Sequence, residues 1–188
     1  MKGYIYTMFQ GADPGTGWVM TDPIYTPIPT LGACMPNIRR AVETGDYIFS
    51  ISGRVDGTNQ YIVGGFQVAD KINALMAYSK FPQNRMKQMN DGSLRGNIIV
   101  DKDGNKLDID YHSNHKKRIE NYIIGKNEVV ISKPDEIKRG RKETLPMLNN
   151  LFNTKEDSVY RVVSRWRKLN EQQIHDLISW MNSIKGKN

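Results

Sequence analysis

Leu31-Gly-Ala-Cys-Met-Pro-Asn-Ile-Arg-Arg-Ala-Val-Glu-Thr-Gly-Asp-Tyr-Ile-Phe-Ser50 joins a short helix to a strand and sets two arginines beside the junction. Pro36 suits a first helical turn, where its missing N–H costs nothing, and Ile38, Ala41 and Val42 follow at the spacing of one buried face. Gly45 ends the helix, because the residue past a helix end often needs a positive φ that glycine accepts without a Cβ clash. Tyr47-Ile-Phe-Ser-Ile51 then reads as a strand rich in β-formers. Arg39 and Arg40 are left for solvent or an anion. The unpaired N–H groups near Pro36 add to the case for an anion, since a guanidinium grips phosphate through two parallel bonds.

Outward from this stretch, Gly3-Tyr-Ile-Tyr-Thr-Met8 predicts an opening strand, and Asp13-Pro14-Gly15 supplies turn chemistry. Pro23, Pro27 and Pro29 keep the next segment irregular up to the helix, a connection long enough to cover a pocket. Beyond Ser52, a polar turn through Gln60 leads to Tyr61-Ile-Val-Gly-Gly-Phe-Gln-Val68, so a hairpin is expected. Gly64-Gly65 implies a bend, a bulge or a close approach within that strand. A short helix is expected over 72–78, a second hairpin from Asn97–Val100 and Leu107–Asp110, and a strand over Glu128–Ser132. Most connections are too short for parallel crossovers, which predicts an α+β fold with a mainly antiparallel, curled sheet and flanking helices. At the end of the chain Asn170 caps a helix with Gln173 as its third residue, and Ile174, Leu177, Ile178, Met181 and Ile184 form an apolar stripe.

The 188 residues suffice for one well-buried core, and nine Tyr, five Phe and three Trp supply large buried surfaces. No apolar run approaches the roughly 20 residues that span a bilayer, and Met1-Lys-Gly-Tyr4 lacks a secretory apolar stretch, so a cytoplasmic protein with no membrane partner is expected. Cys34 is the single cysteine, which excludes an intrachain disulfide and a cysteine-based metal cluster. The net charge of +7 falls mostly in the second half, where nineteen Lys/Arg face thirteen Asp/Glu after residue 92. That balance favours an anionic partner, nucleic acid or nucleotide, without fixing affinity; an ordinary basic surface is the plain alternative.

Motifs for the common nucleotide enzymes are missing: there is no P-loop, dinucleotide fingerprint, kinase set or nucleophile elbow. His112 and His115, with Asp108 and Asp110 upstream, permit an acid–base or metal site, although two histidines in a polar loop more often lie on a surface. Cys34 is a nucleophile only if a helix N-terminus or Arg39 holds its thiolate; a buried small hydrophobe is the commoner use. Tyr6, Trp18 or Tyr47 could stack on a base near the Gly45 junction while Asp46 reads its polar edge, against the usual use of such rings in cores. Trp166 with Arg161, Arg165, Arg167 and Lys168 mixes an aromatic with positive charge, as nucleic-acid surfaces and snorkelling solvated faces both do.

Tyr4-Ile-Tyr6, the Asp13-Pro-Gly-Thr-Gly17 loop, Leu31-Gly-Ala-Cys-Met-Pro-Asn-Ile-Arg39, Gly45-Asp46, Asn97-Ile98, His112 and Val129-Val-Ile-Ser132 carry a resemblance over roughly the first 135 residues. In these the chain resembles the nucleotide-modification-associated domain family of the second type, a group linked to PUA-like folds such as the EVE, YTH and ASCH domains. The resemblance implies a compact PUA-like β-barrel over residues 1–135 with a role toward modified nucleotides or bases. Residues 136–188 would then be a basic linker and a C-terminal helix packed on the same domain. Met35 stands where the family tends to have Lys, which removes one anion contact.

The leading expectation is therefore a non-catalytic module that recognises a modified base or nucleotide in a nucleic-acid modification or defence setting, with no cofactor and no metal. Its ligand residues would be Tyr6, Trp18, Cys34, Arg39, Arg40, Asp46 and Tyr47, while Arg139, Arg141 and Lys142 track a phosphate backbone. One alternative is an enzyme of nucleotide or base modification using Cys34, Asp46 or His112. Another is a small basic interaction or inhibitor protein that holds a protein partner through the C-terminal helix.

Overall fold

The structure is a computed structural model and describes residues 1–186. In chain order the elements are β1 (Gly3–Thr7), β2 (Thr30–Leu31), α1 (Pro36–Ala41), β3 (Tyr47–Ile51), β4 (Ile62–Ile72), α2 (Ala74–Lys80), β5 (Lys87–Gln88), β6 (Leu94–Arg95) and α3 (His115–Ile119). β7 (Tyr122–Val130), α4 (Pro134–Phe152), α5 (Val159–Val163), β8 (Trp166–Leu169) and α6 (Glu171–Lys185) complete the chain. Six strands hydrogen-bond in the order β2-β7-β4-β3-β1-β8, with β5 and β6 forming a separate pair. The result is an α+β fold on a mixed sheet whose two edge strands leave it open.

The pairing of β1 with β3 departs from the antiparallel pattern. β1 and β3 run parallel, Gly3 opposite Tyr47 through Thr7 opposite Ile51. Parallel neighbours need a long crossover, and the proline-rich connection that carries α1 provides it. β3 and β4 form the expected antiparallel hairpin, with a register shift between Ser50 and Ile51, whereas the strand expected over 128–132 is β7, which begins at Tyr122 and ends at Val130. Gly65 lies opposite Phe49, and a Cβ there would come within 2.1 Å of the Phe49 ring, so the glycine pair serves a bulge and a close approach together. Gly45 has φ +95° and turns the chain from the α1 segment into β3.

The chain divides into two compact units. The first comprises Met1–Met20, Asp46–Gln67 and the chain from Asn127 onward. In it α4 packs on α5 and α6, and α5 on β1. Asn170 and Gln173 make the expected capping box of α6, and Ile174, Leu177, Met181 and Ile184 are buried. The apolar stripe of this helix is thus consumed by the protein's own core. The segment expected as a basic linker is instead helix α4. Its start is fixed by Glu136, whose buried carboxylate accepts from the amides of Ser132 (3.0 Å) and Lys133 (3.2 Å).

The second unit comprises Thr21–Gly45 and Val68–Lys126. Ala74 and Ala77 of α2 pack with Phe81, Ile98, Val100, Tyr122 and Ile124. The second expected hairpin is reduced to a bridge between Val100 and Lys106 around a tight turn in which Asp101 accepts from the amides of Asp103 and Asn105. No helix of the described residues is long and apolar enough to cross a membrane.

Candidate functional site

The loop that carries Cys34 is built around a buried carboxylate. Asp22 accepts from the amides of Gly32 (2.8 Å), Ala33 (2.9 Å) and Cys34, and from Nδ2 of Asn97 (2.9 Å). Asn97 is tied in turn to Tyr122, whose hydroxyl donates to its Oδ1 at 2.8 Å, and Asn84 donates to the Tyr122 oxygen at 3.0 Å. The side chains of Asp22, Asn84, Asn97 and Tyr122 are all buried and paired, which is the condition for a polar core to hold one geometry. Burial pushes the Tyr122 phenol up to about 12.

Arg39 closes the same loop from the other side. It is 0% exposed, and its Nε donates to the Cys34 carbonyl at 2.7 Å. Nη1 donates to the carbonyls of Arg118 (2.9 Å) and Asn121, and Nη2 to that of Ala33 (3.0 Å). The guanidinium therefore binds main chain where a phosphate had been expected. Arg118 reinforces it, donating from Nη1 to Ala33 at 2.6 Å and from Nε to Ser113 at 2.8 Å. Arg40, the next residue, is exposed, and its carbonyl accepts from Lys71 at 3.3 Å.

Arg39 and Arg118 thus clamp the Cys34 loop to the 113–121 segment, while Asp22 ties the loop to Asn97. Asp110 is 4% exposed and its Oδ1 lies 2.6 Å from Nδ1 of His112, while Oδ2 has no hydrogen-bond partner among the described residues. Nε2 of His112 makes no hydrogen bond among the described residues. The imidazole is stacked at 4.7 Å and 19° on the ring of Tyr111, which is 72% exposed. Burial of the Tyr111 hydroxyl, then the nearby Cys34 and Asp110, raises its pKa. Lys116 and Lys117, one helical turn on, are exposed.

Cys34 is half-buried. Burial first and the neighbouring Asp22 second push its thiol well above the ordinary range, with Arg118 and Arg39 only partly opposing them. A carboxylate beside the sulfur favours the protonated form, the reverse of what a nucleophilic cysteine needs. His115 turns to the Ile99 carbonyl, 3.3 Å from its Nε2, and does not join His112 on a common ion. Among the described residues no three His, Cys, Asp or Glu side chains are grouped to hold a metal.

The other expected ligand residues belong to the first unit, each with local partners. Tyr6 is buried, Tyr47 stacks on Phe49 at 6.0 Å, and Trp18 meets Phe9 edge-on at 5.4 Å. Asp46 accepts from the Lys2 amide at 3.0 Å and so anchors the start of β1. Of the three residues expected to track a phosphate backbone, Arg141 pairs bidentately with the buried Asp13, both contacts 2.9 Å. Arg139 pairs with Glu143 at 3.1 Å, and Lys142 alone is exposed without a hydrogen bond or ion pair among the described residues.

Sequence reasoning singled out Cys34, Arg39 and His112 and missed Asp22, Tyr111 and Arg118. Asp22 had no signal beyond its place before Pro23. Tyr111 had one, as an aromatic in an otherwise polar run next to His112 and a Lys-Lys-Arg stretch. A shallow open groove of about 500 Å³ lined by Asp70, Ile72, Met76, Ser79 and Lys80 holds none of these residues. Compared with protein-family models, with curated proteins and with solved structures, the chain matches none.

Proposed function

We propose that this chain is a cytoplasmic binding module for a base or nucleotide, of the modified kind implied by its resemblance, with Tyr111 as the platform on which the base stacks. One observation carries the reading: an exposed tyrosine ring rests on an imidazole that a buried carboxylate holds in place. An exposed aromatic fixed from beneath keeps one face open for a flat guest at little entropic cost, and stacking accepts any base because every base has a π-face. Lys116 and Lys117 would supply charge for a phosphate, and Nε2 of His112 a polar contact to a base edge. Kinship with PUA-like folds and a place in nucleic-acid modification or defence belong to the same proposal, supported by a sheet with flanking helices.

Thermal-shift measurements with normal and modified nucleotides at two salt concentrations test it. A guest stacked on Tyr111 raises the melting temperature at both, since loose charge attraction alone fades steeply with salt. A shift that vanishes at the higher salt for every nucleotide would refute the reading.

A further inference from the structure

β8 is an edge strand of the six-stranded sheet, and the chain around it is charged with a single sign. Between Val159 and Asn170 there are four basic residues and no acidic one. Arg167 is spent inward, donating to the Val162 carbonyl at 2.6 Å and lying 4.0 Å over the Phe152 ring. Arg161 pairs with the exposed Asp157 at 3.3 Å, a contact of small worth in water. Arg165 and Lys168 are exposed and make no side-chain hydrogen bond or ion pair among the described residues. Two aromatics share the stretch: Tyr160 is 66% exposed, and Trp166 is 38% exposed and packs against Tyr4 at 5.8 Å with the rings tilted by 56°.

The strand register orders these groups. β8 runs antiparallel to β1, with Tyr6 opposite Trp166 and Tyr4 opposite Lys168, so Trp166 and Lys168 project on the same face two residues apart. A partly exposed indole packed against Tyr4 therefore stands beside an uncommitted ammonium along an open sheet edge. We propose that this edge binds single-stranded nucleic acid, with a base stacked on Trp166 and backbone phosphates met by Arg165 and Lys168. Charge sign selects a polyanion. The exposed rings select an unpaired strand, because a duplex keeps its base faces covered. The surface belongs to the first unit and stands independently of the Tyr111 reading.

Fluorescence anisotropy of the full chain with a labelled oligothymidylate, at two salt concentrations, tests the proposal. Trp166→Ala should weaken binding by roughly 5- to 150-fold. Because Trp166 is partly packed, a second variant reverses only exposed charges: Arg165→Glu with Lys168→Glu should weaken binding at least tenfold at low salt and lower the salt slope by about 1.4. The proposal is overturned if the unaltered chain does not bind at low salt, if both edge variants bind as it does, or if it binds phosphatidylserine vesicles and not the oligonucleotide.

Discussion

Arg39 shows at the scale of one residue how charge misleads. As an arginine next to a helix start it reads as an anion contact, yet it lies four residues after Met35 and three before Val42, both buried. That spacing is the core-facing stripe of α1, and Arg40 is the position that faces water. The periodicity was therefore legible; the hydrogen bonds that make a buried guanidinium tolerable were not, because two of the acceptors, the carbonyls of Arg118 and Asn121, lie some eighty residues away. Arg39→Ala should strand several buried carbonyls, each worth about 1–3 kcal/mol. Urea denaturation is expected to show a loss of several kcal/mol, and a loss under about 1 kcal/mol would deny the clamp. Cys34 gives a second expectation at this scale. With its thiol held protonated by burial and by Asp22, alkylation by iodoacetamide at pH 8 should be far slower than for free cysteine. Labelling at the free rate would reverse that assignment.

At the scale of elements, those with local signals were the legible ones. α1, β1, β3 and α6 each announce themselves through a proline, a glycine, a capping pair or a stripe, and each lies where those signals put it. α4 was hidden because its basic residues read as a solvated linker, while its start depends on one glutamate reaching back to two amides. Glu136 also makes this cap titrate. Burial raises its pKa, but the amides of Ser132 and Lys133, with Lys185 and Lys133, outweigh burial and leave the carboxyl below its usual value. A depressed carboxyl contributes stability above its unfolded value near 4.5, and that contribution is lost as pH falls through the folded value. Glu136→Gln should thus melt lower than the unaltered chain at pH 7, with the gap narrowing by pH 3. A gap that stays constant across this range would rule out the charged cap.

For the whole molecule, the fold class was readable and its topology less so. The parallel pairing of β1 with β3 depends on a connection whose prolines and short helix do not say which strand it returns beside, and the two units are each assembled from separated stretches of chain. No local pattern encodes such interleaving, since every contact involved joins distant positions. The candidate site shares this property: Asp22, Cys34, Arg39, Asn97 and Arg118 meet only once the second unit has formed, so the sequence displayed its parts and concealed its centre.

The proposed stacking of a flat guest on the exposed ring of Tyr111 is tested by the affinities of two variants for whichever nucleotide stabilises the chain. Calorimetric titration should show Tyr111→Phe, which keeps the ring, binding close to the unaltered protein. Tyr111→Ala should bind about 5- to 150-fold more weakly at an unchanged melting temperature. Equal affinity for the alanine and phenylalanine variants would exclude Tyr111 as the platform.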